Sequence, residues 1–537
     1  MFRTFFFVLL SVSLLAACSI EEHPKDQIEE NMVYTSPEEL YRNTIGTIYS
    51  YVGGFMDGQG LQGTCRGVYD LQTFGSDEAV LPTRGVDWYD GGIWQDLYKH
   101  SWSPGHEVVK NSWMYLYKII TICNRALENI DKYKELLIEL QYQRYTAEVR
   151  AIRAIYYFYL LDLFGNVPVV ISSERSLNDV ETLTRSHVFE FVIFELAQVY
   201  PYLPNRFSQV KGDYYGRVTQ AVAAFVLAKL YLNAEVYEDD VWTDNERPDG
   251  KDLSFDVYDR KMNAWEAAAF YCDLIGQIGY KLEENYFDNF CVNNENSVEN
   301  IWTIPLDQFL YTSQQQNMFR SHHSRHAAAY GFSGENGSSA TLKVLEVNGY
   351  NTPELDTRFE RNYWSDYITN LNGYFIQGRN GEPMCYLPEE IELDLSCSPY
   401  QEMAGARMKK YEVDIDASEG GKLMDNDIVL FRYADVLLMK AEALVRNGES
   451  GQKEFDLVRS RAHMDKKEAT LDNIYDERLI ELAWEGWRRN DMIRFGRYKS
   501  LYQGIDAVDE SDNHTIVYPI PSVVVTLNPY IWQNPGY

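Results

Sequence analysis

The feature that most narrows the fold is a set of small and apolar side chains recurring at helical spacing. Ala147, Ala151, Ala154, Phe158 and Leu161 fall on one face of a helix predicted over 139–164. Gly165 stops that helix and Pro168 prevents its return. A second stripe, Ala221, Ala224, Ala228 and Leu232, lies on a helix predicted over 217–234, where small side chains let a neighbouring helix come close. Further helices are predicted over 107–131, 186–200, 263–278, 428–447 and 472–495. An earlier one, through about Tyr51, opens on Ser36-Pro37-Glu38-Glu39, a capping box with proline at the first helical position. Helix pairs recur about every 34 residues, which reads as degenerate tetratricopeptide units stacked helix on helix. The expected fold is mainly α: a tetratricopeptide-type α-superhelix carrying a loop-rich, mixed ligand-binding lobe.

The lobe is expected where periodicity fades. Residues 280–425 gain Asn, Gly and aromatics and read as short strands and long loops. A second loop region, 53–105, is rich in Gly, Asp and Trp; structured loops of that length are usually functional. The tail 499–537 carries Pro519, Pro521, Pro529 and Pro535 and is expected to be an extended wrap, not a helix. The chain thus divides into 35–279 with its ligand loop 53–105, the variable lobe 280–425, and a helical region with tail over 426–537, all in one intertwined unit.

The N-terminus reads as an export signal. Phe5 to Ala17 is uncharged and follows Arg3, too short a run to span a bilayer. It ends in Leu15-Ala16-Ala17-Cys18, which resembles a bacterial lipobox. Residues 1–17 are therefore expected to be a signal peptide and 18–34 a tether lipidated at Cys18, with Glu21 and Glu22 resembling an acidic surface-export signal. Cys65, Cys123, Cys272, Cys291, Cys385 and Cys397 are left, without a Cys-x-x-Cys; mostly buried free thiols are expected, with room for one bridge.

Charge narrows the partners. The chain has 80 acidic and 49 basic residues, a net charge of −31. That argues against nucleic acid, which needs clustered Lys and Arg, and against electrostatic docking on an anionic membrane. Aromatics make up 14% of the chain, which favours a neutral ligand with apolar faces.

Motifs for catalysis and cofactors are weak. Gly58 to Gly63 spells G-x-G-x-x-G without a strand before it or a helix after it, so no dinucleotide site is expected. His322, His323 and His326 lack the carboxylate or thiolate that would complete a metal set. Glu477, Glu481 and Glu485 run at i, i+4, i+8 beside Arg478, Arg488 and Arg489, as on a salt-bridged helix surface. No cofactor is expected. The stretch from Arg84 to Trp94 is different: Trp88, Tyr89 and Trp94 sit among Gly and Asp. Pyranose rings present apolar C–H faces that stack on aromatic rings, while their hydroxyls need polar partners. Trp88, Tyr89 and Trp94 are therefore candidate stacking rings, Arg84 and Asp87 candidate hydroxyl partners, and Tyr311 a further candidate from the lobe. The competing reading is an aromatic staple that holds a long loop down.

Several segments together resemble the SusD/RagB family of surface glycan-binding lipoproteins. They are Arg150 to Phe158 with Phe164-Gly165-Asn166-Val167-Pro168, then Arg432 to Ala443, then Glu477 to Gly496, and the terminus Tyr518-Pro519-Ile520-Pro521 to Tyr537. Ser76-Asp77-Glu78 and Trp102-Ser103-Pro104 also fit. The resemblance implies a non-enzymatic, SusD-like outer-membrane lipoprotein that captures oligosaccharides and passes them to a SusC-like TonB-dependent transporter. Two other functions stay open: a peptide-binding or scaffold lipoprotein, and a surface glycoside hydrolase with two carboxylates facing each other across a cleft.

Overall fold

The computed structural model describes residues 33–54, 58–175, 180–310, 312, 316–498 and 513–537. The signal peptide, Cys18 and Tyr311 lie outside the described residues.

The framework helices are α1 (Glu107–Lys132), α2 (Glu139–Phe164), α3 (Arg185–Val199), α4 (Gln220–Leu232), α5 (Ala264–Ile278), α6 (Tyr433–Asn447), α7 (Gln452–Arg461), α8 (Leu471–Glu481) and α9 (Arg488–Arg494). Each of α1 to α6 packs against the next, and α6 also packs on α8. This is the expected tetratricopeptide-like stacking. The small residues explain its closeness: Ala221, Ala224 and Ala228 of α4 and Ala267 and Ala268 of α5 are fully buried. From Ala221 to Leu232 every side chain of α4 is buried, as suits a central helix with no solvent face. Its one charge, Lys229, sits 2.8 Å from Asp435 and 4.0 Å from the centroid of the Trp487 ring. Burial pulls the Lys229 ammonium down to about 8, against the pull of Asp435.

Three expectations need correction. Residues 428–432 form a strand, β2 (Ile428–Arg432), and the helix begins only at Tyr433. The Ile-Val-Leu-Phe run pairs antiparallel with β1 (Asn300–Ile304), and all ten residues of the pair are buried. The helix predicted over 472–495 is broken between α8 and α9, where Trp484 and Gly486 take left-handed φ of 64° and 76°. The tail does wrap the scaffold: the Tyr518 N–H donates to Leu163 O at 2.7 Å, and the Asn534 amide to Phe164 O at 2.7 Å. It is not helix-free, however; Pro521 caps a short helix over Ser522–Leu527.

Glu477, Glu481 and Glu485 are ion-paired, but in the interior and not on a surface. Arg432 reaches Glu299 at 2.5 Å, Glu481 at 2.6 Å and Glu485 at 2.7 Å, and Arg358 reaches Glu477 and Glu481, each at 2.7 Å. These groups join β2 and α8 to the lobe. The six cysteines from Cys65 to Cys397 are all free thiols. Among the described residues no group of His, Cys, Asp and Glu is placed to hold a metal ion, and no helix is long and apolar enough to cross a membrane.

A short pairing of Ala79–Val80 with Ser339–Ala340 ties the lobe to the N-terminal region, just before the loop over 83–99, while Tyr363–Trp364 pairs with Arg407–Met408 within the lobe.

Candidate functional site

A groove of about 1010 Å³ opens between the loop over 83–99 and the segment 389–396, which leaves a 3-10 turn at Pro388–Glu390. Thr83 fixes the two walls together. Its N–H donates to Leu393 O at 3.1 Å, and its carbonyl accepts from the Leu395 N–H at 2.8 Å. In the far wall Ile391, Leu393 and Leu395 point inward and Glu390, Glu392 and Asp394 outward, the alternation of a half-buried strand.

The near wall is a tight turn. Arg84 and Asp87 exchange backbone hydrogen bonds of 2.9 and 3.0 Å around Gly85 and Val86, and Val86 stands 95% exposed at the tip. Trp88 then takes a φ of 62°, Asp90 of 44°, and Gly91 and Gly92 of 74° and 92°. These left-handed residues, with Tyr89 between them at a φ of −73°, turn the chain into the helix Ile93–Lys99. Added Cβ atoms on Gly91 and Gly92 would meet nothing within 4 Å, so those glycines serve the turn and leave open space beside it.

Of the six residues singled out from the sequence, Tyr311 lies outside the described residues and the other five do not converge on one site. Tyr89 is 59% exposed and lines the groove. Asp87 is exposed at the end of the turn but is not among the groove-lining residues. Trp88 is half-buried: its indole N–H donates to Glu335 O at 2.9 Å, and its ring lies against Gly337. It therefore meets the description of a staple. Trp94 is fully buried, its indole N–H bonded to Asp90 at 2.8 Å and its ring edge-to-face with Phe74, so it offers no face to a sugar. Arg84 is also buried. It donates to Gly337 O, Gln401 O, Ser339 Oγ and Ala404 O at 2.8–3.1 Å, which commits four of its five N–H groups to the protein and holds the side chain 4% exposed. Arg84 and Trp94 are thus corrected from ligand contacts to loop anchors. Burial, with Arg407 beside it, holds the Arg84 guanidinium well below its usual range.

Sequence reasoning missed the far wall. Glu389, Glu390, Glu392 and Asp394 line the groove opposite Tyr89, with Asp96 and Lys99 on the near side. A signal was present: from Glu390 to Leu395 acidic and apolar residues alternate strictly. Asp394 accepts from Ser396, which holds its carboxyl below the usual range. The groove thus offers one exposed ring, an apolar floor at Val80, Ile391 and Leu393, and a rim of carboxylates.

Known proteins share this architecture. The profile described as the SusD family matches residues 278–537, and one described as starch-binding associating with outer membrane matches 70–232. The starch-binding protein SusD of Bacteroides thetaiotaomicron is 25% identical, over 90% of this chain and 88% of its own length. SusD-like protein P25 of Formosa agariphila is 26% identical over 80% of each. Among solved structures, a laminarin binding SusD-like protein superposes with a TM-score of 0.69 at 22% identity, covering 94% of this chain and 100% of that one. Surface glycan-binding protein A from Bacteroides thetaiotaomicron, in complex with laminarihexaose, gives 0.68 at 18% identity, covering 93% and 100%. The two profiles meet the same scaffold from both ends, and the relatives run nearly its full length: the chain belongs to the SusD/RagB family.

Proposed function

We propose that this protein is a cell-surface lipoprotein that captures neutral oligosaccharides and hands them to a SusC-like TonB-dependent transporter in the outer membrane. The observation that carries the reading is the groove: Tyr89 stands exposed on a loop that Arg84, Trp88 and Trp94 hold rigidly from below. A ring fixed in advance loses little entropy on meeting a sugar. Relatives named for starch and laminarin binding make α- and β-glucans the first ligands to try. An open groove with one exposed ring fits affinities of about millimolar to micromolar. Isothermal calorimetry with maltohexaose and laminarihexaose tests the proposal; no heat from either, nor from a wider glycan panel, overturns it.

Catalysis has little support. A general acid needs a carboxyl raised toward neutrality. Glu78, Asp427 and Glu238 are pushed up to about 8, 7 and 7 by burial, and none of them lines the groove. Release of reducing sugar from a bound glucan would reverse this. A cationic peptide is the second reading, favoured by the carboxylate rim.

Anchoring is proposed through acylated Cys18, which follows the Leu15-Ala16-Ala17 box. Cys18→Ala should move the protein from the membrane fraction to the soluble fraction, and unchanged fractionation refutes the anchor.

A further inference from the structure

Residues 366–386 form a small three-stranded meander in the lobe. Asp366–Tyr367 pairs with Cys385–Tyr386, and backbone bonds link Ile368 to Ile376 and Ile376 to Met384. Side chains of a strand alternate between faces. The inner face is Ile368, Ile376, Met384 and Tyr386, all buried in a cluster of their own. On the outer face of an antiparallel sheet polar residues are the norm. Here that face carries Tyr367, 62% exposed, and Phe375, 54% exposed, with Gln377 beside them. The two rings pack edge-to-face at 5.7 Å, and Tyr374 at the turn is 73% exposed. Folding does not require these rings outside, since Ile368, Ile376, Met384 and Tyr386 fill the inner face without them. Exposed patches of this kind mark interaction sites.

The patch has a direction. Tyr350 donates to Asp366 at 3.0 Å, and the strand Cys385–Tyr386 runs through Leu387 into Pro388–Glu390, where Glu389 and Glu390 line the groove. The meander therefore begins where the groove wall ends.

We infer that the outer face of this meander is a second carbohydrate-stacking platform, which continues the groove so that a long glycan lies across both. The inference rests on the glycan reading above. Ring faces with amide neighbours such as Gln377 and Asn370 suit an uncharged polyhydroxylated chain. A short oligosaccharide would fill the groove and stop before Tyr367; a polymer would reach it.

The test is affinity electrophoresis of the whole protein in gels containing laminarin, starch, xylan or pectin, beside calorimetry with a hexasaccharide of whichever glycan retards the wild type. Tyr367→Ala/Phe375→Ala should weaken retardation by the polymer about ten-fold and leave hexasaccharide affinity unchanged. Tyr89→Ala should weaken both. A double variant retarded like the wild type overturns the platform while the groove stands. If no gel retards the wild type, the glycan reading falls and the platform falls with it. If the double variant is retarded normally but loses a concentration-dependent dimer that the wild type shows in sedimentation, the face is a protein interface and the platform is refuted. A matched thermal melt guards against misfolding, and Tyr367→Phe should restore the polymer effect if stacking is the cause.

Discussion

At a φ of 62° the Trp88 backbone folds the indole back under its loop, where the N–H meets Glu335 O, and the next side chain, Tyr89, faces solvent. The two rings should therefore respond oppositely to truncation. Tyr89→Ala leaves the melting temperature unchanged and removes about 1–3 kcal/mol of glycan affinity. Trp88→Ala loses a hydrogen bond and its packing on Gly337, and costs about 2–4 kcal/mol of stability. Its affinity falls as well, because Tyr89 loses its support. Calorimetry beside a thermal melt separates the two; a Tyr89→Ala protein that binds like the wild type removes this ring from the site. His322, His323 and His326 make a second residue-level case. The rings of His322 and His326 lie 4.7 Å apart, against Phe332, Trp364 and Tyr386, with Arg407, Lys409 and Arg379 nearby and Glu402 facing His323 at 3.6 Å. Burial holds His322 and His323 down to about 4 and His326 well below its usual range. In the unfolded chain they titrate near 6.5, so unfolding takes up protons between these values. Their contribution is complete above about pH 6.5 and is lost as pH falls toward 4. Melting temperature measured across that window should drop, and His322→Gln should flatten the slope; a flat wild-type profile refutes the argument.

Helices were legible where one physical rule governs them. The 139–164 helix was read to the residue, because Gly165 and Pro168 end it for local reasons. The strand over 428–432 was not, because Ile-Val-Leu-Phe is buried on both sides, and a short apolar run shows no period that tells strand from helix. The break after Glu481 was hidden for another reason: Trp484 takes a left-handed conformation that tertiary contacts enforce, with its backbone N–H held by buried Glu78. Of the site, the loop over 84–94 was legible as special, but the roles within it were not. Whether Trp94 or Tyr89 faces water depends on the turn at Gly91 and Gly92, which composition does not encode. Gly486 gives an element-level prediction. A Cβ there would sit 3.3 Å from the Tyr69 ring at a φ of 76°. Gly486→Ala should destabilise by about 1–2 kcal/mol through backbone strain, read as a lower denaturant midpoint with unchanged slope. Stability equal to wild type would mean that the α8–α9 break tolerates another backbone path.

Taken over the whole molecule, the charge is distributed unevenly. Basic residues are the minority, and many are inside: Arg185, Arg320, Arg358, Arg407, Arg432, Arg478 and Arg489 are among the largest fully buried side chains. Several of those cations are paired inside with carboxylates such as Asp70, Asp356, Glu299 and Asp435, so the buried charges largely cancel and most of the formal −31 is left to the surface. The groove follows that pattern, with Asp96, Glu389, Glu390, Glu392 and Asp394 around one Lys99. A field of this sign decides between the two ligand classes. It attracts a cationic peptide from a distance and is screened by salt, whereas an uncharged glycan meets no long-range field. Affinity for a neutral hexasaccharide should therefore stay within about two-fold between about 50 and 500 mM salt, where the Debye length shrinks from above 10 Å to below 5 Å. A lysine-rich peptide, if it is the ligand, should bind at the low end and weaken at least ten-fold across the same range. Calorimetry at several salt concentrations reads this directly. Salt-independent sugar heats support the glycan groove; strong peptide binding that salt abolishes, with no sugar heats at any concentration, transfers the site to the peptide class.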